Sequence, residues 1–116
     1  MPSDELTITF SARLWAPIDG TIDNSVALAH VDGDASIYEP GHRIREAGWA
    51  AMRAAPETND IGWPPEDYQM RITTSPSDWV FVLAQLDRWE QDVDEDISLF
   101  SSARQVIAHA LAPADG

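Results

Sequence analysis

Two residue types are missing from this 116-residue chain altogether, cysteine and lysine. Without cysteine there is no disulfide framework, thiolate zinc site, iron–sulfur cluster or cysteine nucleophile. Without lysine there is no Schiff base, no covalently held pyridoxal phosphate and no lysine-bearing phosphate loop. The six glycines are isolated, so no Gly-x-Gly-x-x-Gly nucleotide fingerprint can be assembled. Positive charge is scarce as well. Only 7 basic residues, all arginine, face 20 acids, for a formal net charge of −13. Such a surface repels phosphates, so neither nucleic acid nor an anionic membrane is expected as a direct ligand. No apolar run approaches the roughly 18 residues of a membrane span. The acidic start Met1-Pro2-Ser3-Asp4-Glu5 is the reverse of a signal peptide's basic one, and a cytoplasmic protein is expected.

What is present fits one domain over residues 1–116, with 112–116 as a frayed C-terminal tail. Acids outnumber arginines in both halves, so the charge belongs to the whole domain and not to a tail. From Leu6 to Trp15, Leu6, Ile8, Phe10, Ala12 and Leu14 alternate with Thr7, Thr9, Ser11 and Arg13, which predicts a half-buried strand. Pro17 and Asp19-Gly20 end it. A second strand is predicted over Ser25–Val31, with Asp32-Gly33 as a hairpin turn into Ala35–Tyr38. Pro40 opens a predicted helix to about Ala55, whose stripe of Ile44, Ala47, Gly48, Ala51 and Ala55 suits close packing.

Residues 56–66, with three prolines and a glycine, read as a loop. Tyr68, Met70 and Ile72 then alternate as a strand. Ser75-Pro76-Ser77-Asp78 is a helix start: serine cap, proline at the first position, acid in the first turn. The helix that follows places Trp79, Val82, Leu83, Leu86, Trp89 and Val93 on one face. After Asp94-Glu95-Asp96 a last helix buries Leu99, Phe100, Ala103, Val106, Ile107, Ala110 and Leu111. It turns Ser98, Ser101, Ser102, Gln105 and His109 to solvent. The expected class is α+β, a small antiparallel sheet of three to four strands with about three helices on one face, in the order β-β-(β)-α-β-α-α.

Motifs for chemistry are sparse. Asp92-Val93-Asp94-Glu95-Asp96 resembles the opening of a calcium loop, but Ile97 and Ala103 stand where such a loop needs glycine and glutamate. Asp32-x-Asp34-x-Ser36 and Asp19-x-Thr21-x-Asp23 fail the same test. His30, His42 and His109 lack metal-ligand spacing, and no metal or cofactor is expected. Ser77 and Ser98 have no Gly-x-Ser-x-Gly context. His30 shares strand parity with Val26 and Leu28. His42 falls at a predicted helix start, where the dipole disfavours its protonation. A pair of His42 with Asp32 or Asp34 is the simplest acid/base arrangement.

Two features stand out from this background. Five tryptophans are many for 116 residues, and the amphipathic stripes absorb only Trp79 and Trp89. Trp15, Trp49 and Trp63 fall off the stripes, which makes them candidates for interface anchors. Glu90, Asp92, Asp94, Glu95 and Asp96 put five carboxylates within seven residues, a mutual repulsion that salt or a cationic partner would relieve. The leading expectation is a binding protein, not an enzyme. It would occlude a basic, nucleic-acid-handling partner, in the manner of phage anti-defence proteins such as anti-CRISPRs, of antitoxins or of immunity proteins. Its contact set would be Glu90, Asp92, Asp94, Glu95 and Asp96 with Trp63 and Trp49. The alternative is a small enzyme or ligand-binding domain with a pocket between sheet and helices, using His30, His42 and Tyr38. Its acidity would then be only an adaptation to salt.

Overall fold

The structure, a computed structural model, describes residues 5–90 and 97–112. The alternation at the N-terminus does form a strand, β1 (Leu6–Ser11), but it ends four residues before Trp15. Ile8 and Phe10 are buried while Thr7 and Thr9 face outward. β1 pairs antiparallel with β2 (Gln69–Thr74), placing Ile8 opposite Ile72 and Phe10 opposite Met70. On the outer face the hydroxyls of Thr7 and Thr73 meet at 2.6 Å. Two strands alone are marginal in water, so the apolar face of this ribbon depends on helices to cover it.

Ser11 is where the strand becomes a helix. Its hydroxyl accepts from the Leu14 amide at 3.1 Å, capping α1 (Ala12–Asp32). The strand predicted over Ser25–Val31 is therefore the last part of this helix. Trp15, Ile18, Ile22, Val26 and Ala29, spaced three or four apart, form its buried stripe. That period outweighs the short alternation around Val26, Leu28 and His30. Pro17 lies in the second turn, where it removes one backbone bond without ending the helix. Asp32-Gly33 does reverse the chain, but between helices. Gly33 takes the left-handed conformation (φ 71°) that closes α1, and Asp34 caps α2 (Ala35–Arg53) by accepting from the Ser36 amide. Ala35–Tyr38, predicted as a strand, is the first turn of α2, and Pro40 lies inside the helix. Among the described residues the sheet accordingly has two strands where three to four were expected, and there are four helices where about three were expected. The α+β class holds.

Of the predicted small-residue stripe, Ile44, Ala47, Gly48 and Ala51 lie on α2, and Ala55 falls beyond its end at Arg53. A methyl group at Gly48 would sit 2.7 Å from the Trp15 indole, and one at Gly41 would collide with Val26. The two helices of this hairpin thus pack at glycine distance. α3 (Pro76–Glu90) starts at Ser75, whose hydroxyl accepts from the Asp78 amide. It buries Trp79, Val82 and Leu86, with Leu83 and Trp89 half-buried. Val93 lies outside the described residues. α4 (Ile97–Leu111) buries Phe100, Ala103 and Ile107, half-buries Leu99, Val106, Ala110 and Leu111, and exposes Ser98, Ser102, Gln105 and His109. Of the expected tail, only Ala112 is described.

The core joins Phe10, Trp15 and Trp79, with ring centroids 5.7 Å apart from Phe10 to each tryptophan. Trp15, placed on the polar side of a predicted strand, is fully buried because it belongs to α1. Polar groups also cross the core. Ser25 donates to Gln85 at 2.6 Å and accepts from the Trp89 indole at 2.8 Å, tying α1 to α3. Asp78 receives Arg43 from α2, at 2.8 and 3.2 Å, and the Thr74 hydroxyl at 2.6 Å. Burial opposes its charged form, but the hydrogen bonds from Arg43, Thr74 and Ser75 and the adjacent guanidinium hold its carboxyl below the usual carboxylate range.

Candidate functional site

Of the acidic contact set, the described residues include only Glu90. It is half-buried and receives Arg104 of α4 at 2.6 Å, a contact that clamps α3 to α4. Asp92, Asp94, Glu95 and Asp96 lie outside the described residues. Trp49 is half-buried, with the Arg45 guanidinium 4.9 Å over its ring, and Arg45 also bonds Asp19 and Asp23. Arg43, Arg45 and Arg104 are thus committed to carboxylates of the chain itself.

Trp63 leads to a feature that composition did not single out. It belongs to the connection between α2 and β2, and it is half-buried against a cavity of about 560 Å³ shared with Arg13, Pro17 and Leu99. The connection is tightly tied. The Asn59 side-chain oxygen accepts from the amides of Ile61 and Trp63 at 3.0 and 2.9 Å. The Asn59 amide donates to the Trp63 carbonyl at 2.7 Å, and Gly62 closes the turn at φ 91°. Further along, Arg13 and Ala12 donate their amides to the carbonyls of Glu66 and Tyr68, stitching the loop to the first turn of α1. The result holds Ile61 80% exposed at the tip. In the same loop Glu57, Asp60, Glu66 and Asp67 are all exposed, with no basic residue between Pro56 and Tyr68. One large aliphatic residue in an acidic, proline-rich loop was the available signal.

A second cluster lies at the far end of the α1–α2 hairpin. His30 is exposed in the last turn of α1, and His42 is the eighth residue of α2, so it does not stand at a helix start. Their Nε2 atoms are 3.0 Å apart. Tyr38, one turn before His42, stacks on His30 with centroids 4.4 Å apart and planes 10° from parallel. Asp34 is engaged by Ser36 at the cap of α2, and the partner of His42 is His30, not Asp32 or Asp34. The three residues of the ligand-binding alternative therefore do converge. They do so about 27 Å along α1 from its junction with β1, at 1.5 Å per residue, and not between sheet and helices. Among the described residues, no group of three or more His, Asp or Glu side chains gathers to hold an ion, and no helix is long and apolar enough to cross a membrane.

Comparison with protein families, with curated proteins and with solved structures finds no match for this chain.

Proposed function

We propose that this protein acts by docking onto a basic partner protein, of the kind that handles nucleic acid, and occluding it. The observation that carries the reading is Ile61, held at the tip of a hydrogen-bonded loop that also carries four exposed carboxylates. Burying an isoleucine that is exposed in the free protein contributes about 1.5–3 kcal/mol. Because the loop is already ordered, little conformational entropy is spent on contact. The loop's carboxylates, backed by a net charge of −13, would steer encounter with a positive surface and reject a negative one. Trp63 supports the loop from beneath. Asp92, Asp94, Glu95 and Asp96 supply further charge, and Glu90 and Trp49 remain in the proposed contact set. Phage anti-defence proteins, antitoxins and immunity proteins have this profile.

The test uses the wild-type chain as bait at low salt, then the purified captured protein. Wild type is expected to retain a basic protein, to release it to duplex DNA in competition, and to associate more slowly as salt rises. Ile61→Asp should abolish retention with an unchanged circular dichroism spectrum. Glu66→Arg with Asp67→Arg should chiefly slow association. Capture that survives both variants removes the loop from the interface, and the triple reversal Asp92→Lys, Asp94→Lys, Asp96→Lys then tests the other acidic segment.

A further inference from the structure

We propose that His30 and His42 form a two-histidine site for a divalent transition-metal ion, independent of the docking loop. Two imidazole nitrogens 3.0 Å apart cannot both present lone pairs, nor both present N–H groups, without repulsion. Either one proton or one cation lies between them. An ion bonded to each nitrogen at 2.0–2.1 Å separates them by about 2.9 Å at a right angle and about 3.3 Å at the tetrahedral angle. The observed distance falls within that window. Ring centroids 5.2 Å apart at a 54° tilt leave the rings nearly edge to edge, so each must rock to aim at a shared ion. Both side chains are exposed, so no core packing opposes that rotation.

Three further features favour the ion. Tyr38 lies flat on His30 and narrows the freedom of its ring, so part of the ordering cost is met before binding. Imidazole selects zinc, copper or nickel over the hard ions, which prefer oxygen. The net charge of −13 raises the local concentration of any cation. Water would complete the coordination, since no third side chain joins the pair among the described residues. The bound ion would join the last turn of α1 to the middle of α2.

The experiment uses the untagged full chain, stripped with chelator and titrated with zinc at pH 7.5 by calorimetry and by imidazole nitrogen NMR. The chain has three histidines, which makes the spectrum a direct readout. The His30 and His42 signals should move while those of His109 stay. His30→Gln and His42→Gln should each weaken binding by roughly tenfold or more, since even an outer-shell partner of a metal site is worth about 10–100-fold. Melting curves of both variants without metal check that they fold. Tyr38→Ala should weaken binding and Tyr38→Phe retain it. Excess calcium should not compete. Zinc affinity unchanged in both histidine variants would place the ion on carboxylates and overturn the proposal. So would unmoved His30 and His42 signals at millimolar zinc, which would leave a direct histidine–histidine hydrogen bond alone.

Discussion

Gly20, Gly41 and Gly48 all lie inside helices, so the same change to alanine should carry the same intrinsic gain of about 1 kcal/mol at each. Their surroundings differ. At Gly20 the new methyl meets nothing within 4 Å, so Gly20→Ala should stabilise by nearly the full amount, about 4 °C in Tm. At Gly48 the methyl would stand 2.7 Å from two atoms of the Trp15 ring. That ring is fully buried and packed on Phe10, which packs on Trp79 in turn, so it has nowhere to swing. Overpacking of this kind costs about 1–3 kcal/mol, and against the helix gain Gly48→Ala should come out destabilising by up to about 2 kcal/mol. Gly41→Ala drives a methyl into buried Val26 and should follow Gly48→Ala. Urea unfolding at constant m-value separates the three. The expected order of midpoints is Gly20→Ala above wild type, and wild type above both others. A Gly48→Ala midpoint equal to that of Gly20→Ala would mean that α1 and α2 do not approach this closely.

Asp78→Asn removes the charged acceptor of Arg43 and Thr74 and should destabilise by about 1.5 kcal/mol, near the lower end for charged hydrogen bonds because the Arg43 side chain is 59% exposed. Since the folded carboxyl titrates below its unfolded value, this contribution is complete above about pH 4 and vanishes as pH falls through the folded value. Wild type and Asp78→Asn should thus converge in stability in acid, and a constant gap from pH 7 to 3 would refute the assignment. Ser25→Ala leaves the Trp89 indole and Gln85 without their shared partner and should cost about 2 kcal/mol in chemical denaturation. Asn59→Ala should leave global stability nearly unchanged while increasing protease cleavage between Pro56 and Pro65, because Asn59 receives two amides of that loop. Equal cleavage rates would show the loop to be held by other contacts.

Where an element depends on its own residues, the sequence was legible. Ser75-Pro76-Ser77-Asp78 starts a helix at the expected place because caps act within one turn. β1 and β2 follow their alternation. The misreading of residues 12–38 has an equally local origin. Six to eight residues around Val26 fit either period, Pro17 and Pro40 resemble breakers, and Asp32-Gly33 suits a hairpin turn as well as two helix caps. Burial of Trp15, Ile18 and Ile22 against partners elsewhere in the chain decided the matter.

The same division runs through the candidate sites. The exclusions drawn from absent cysteine and lysine, and the acidity itself, follow from composition and depend on no fold. Ile61 looked like a plain loop residue until the Asn59 hydrogen bonds held it outward. His30 and His42, twelve residues apart on two predicted elements, acquired a 3.0 Å contact only when the predicted strand of His30 became helix and Gly33 turned one helix back along the other. Charge and local periodicity are properties of neighbours in sequence. Which side chains meet depends on chain reversal and burial, and those are decided by the whole molecule.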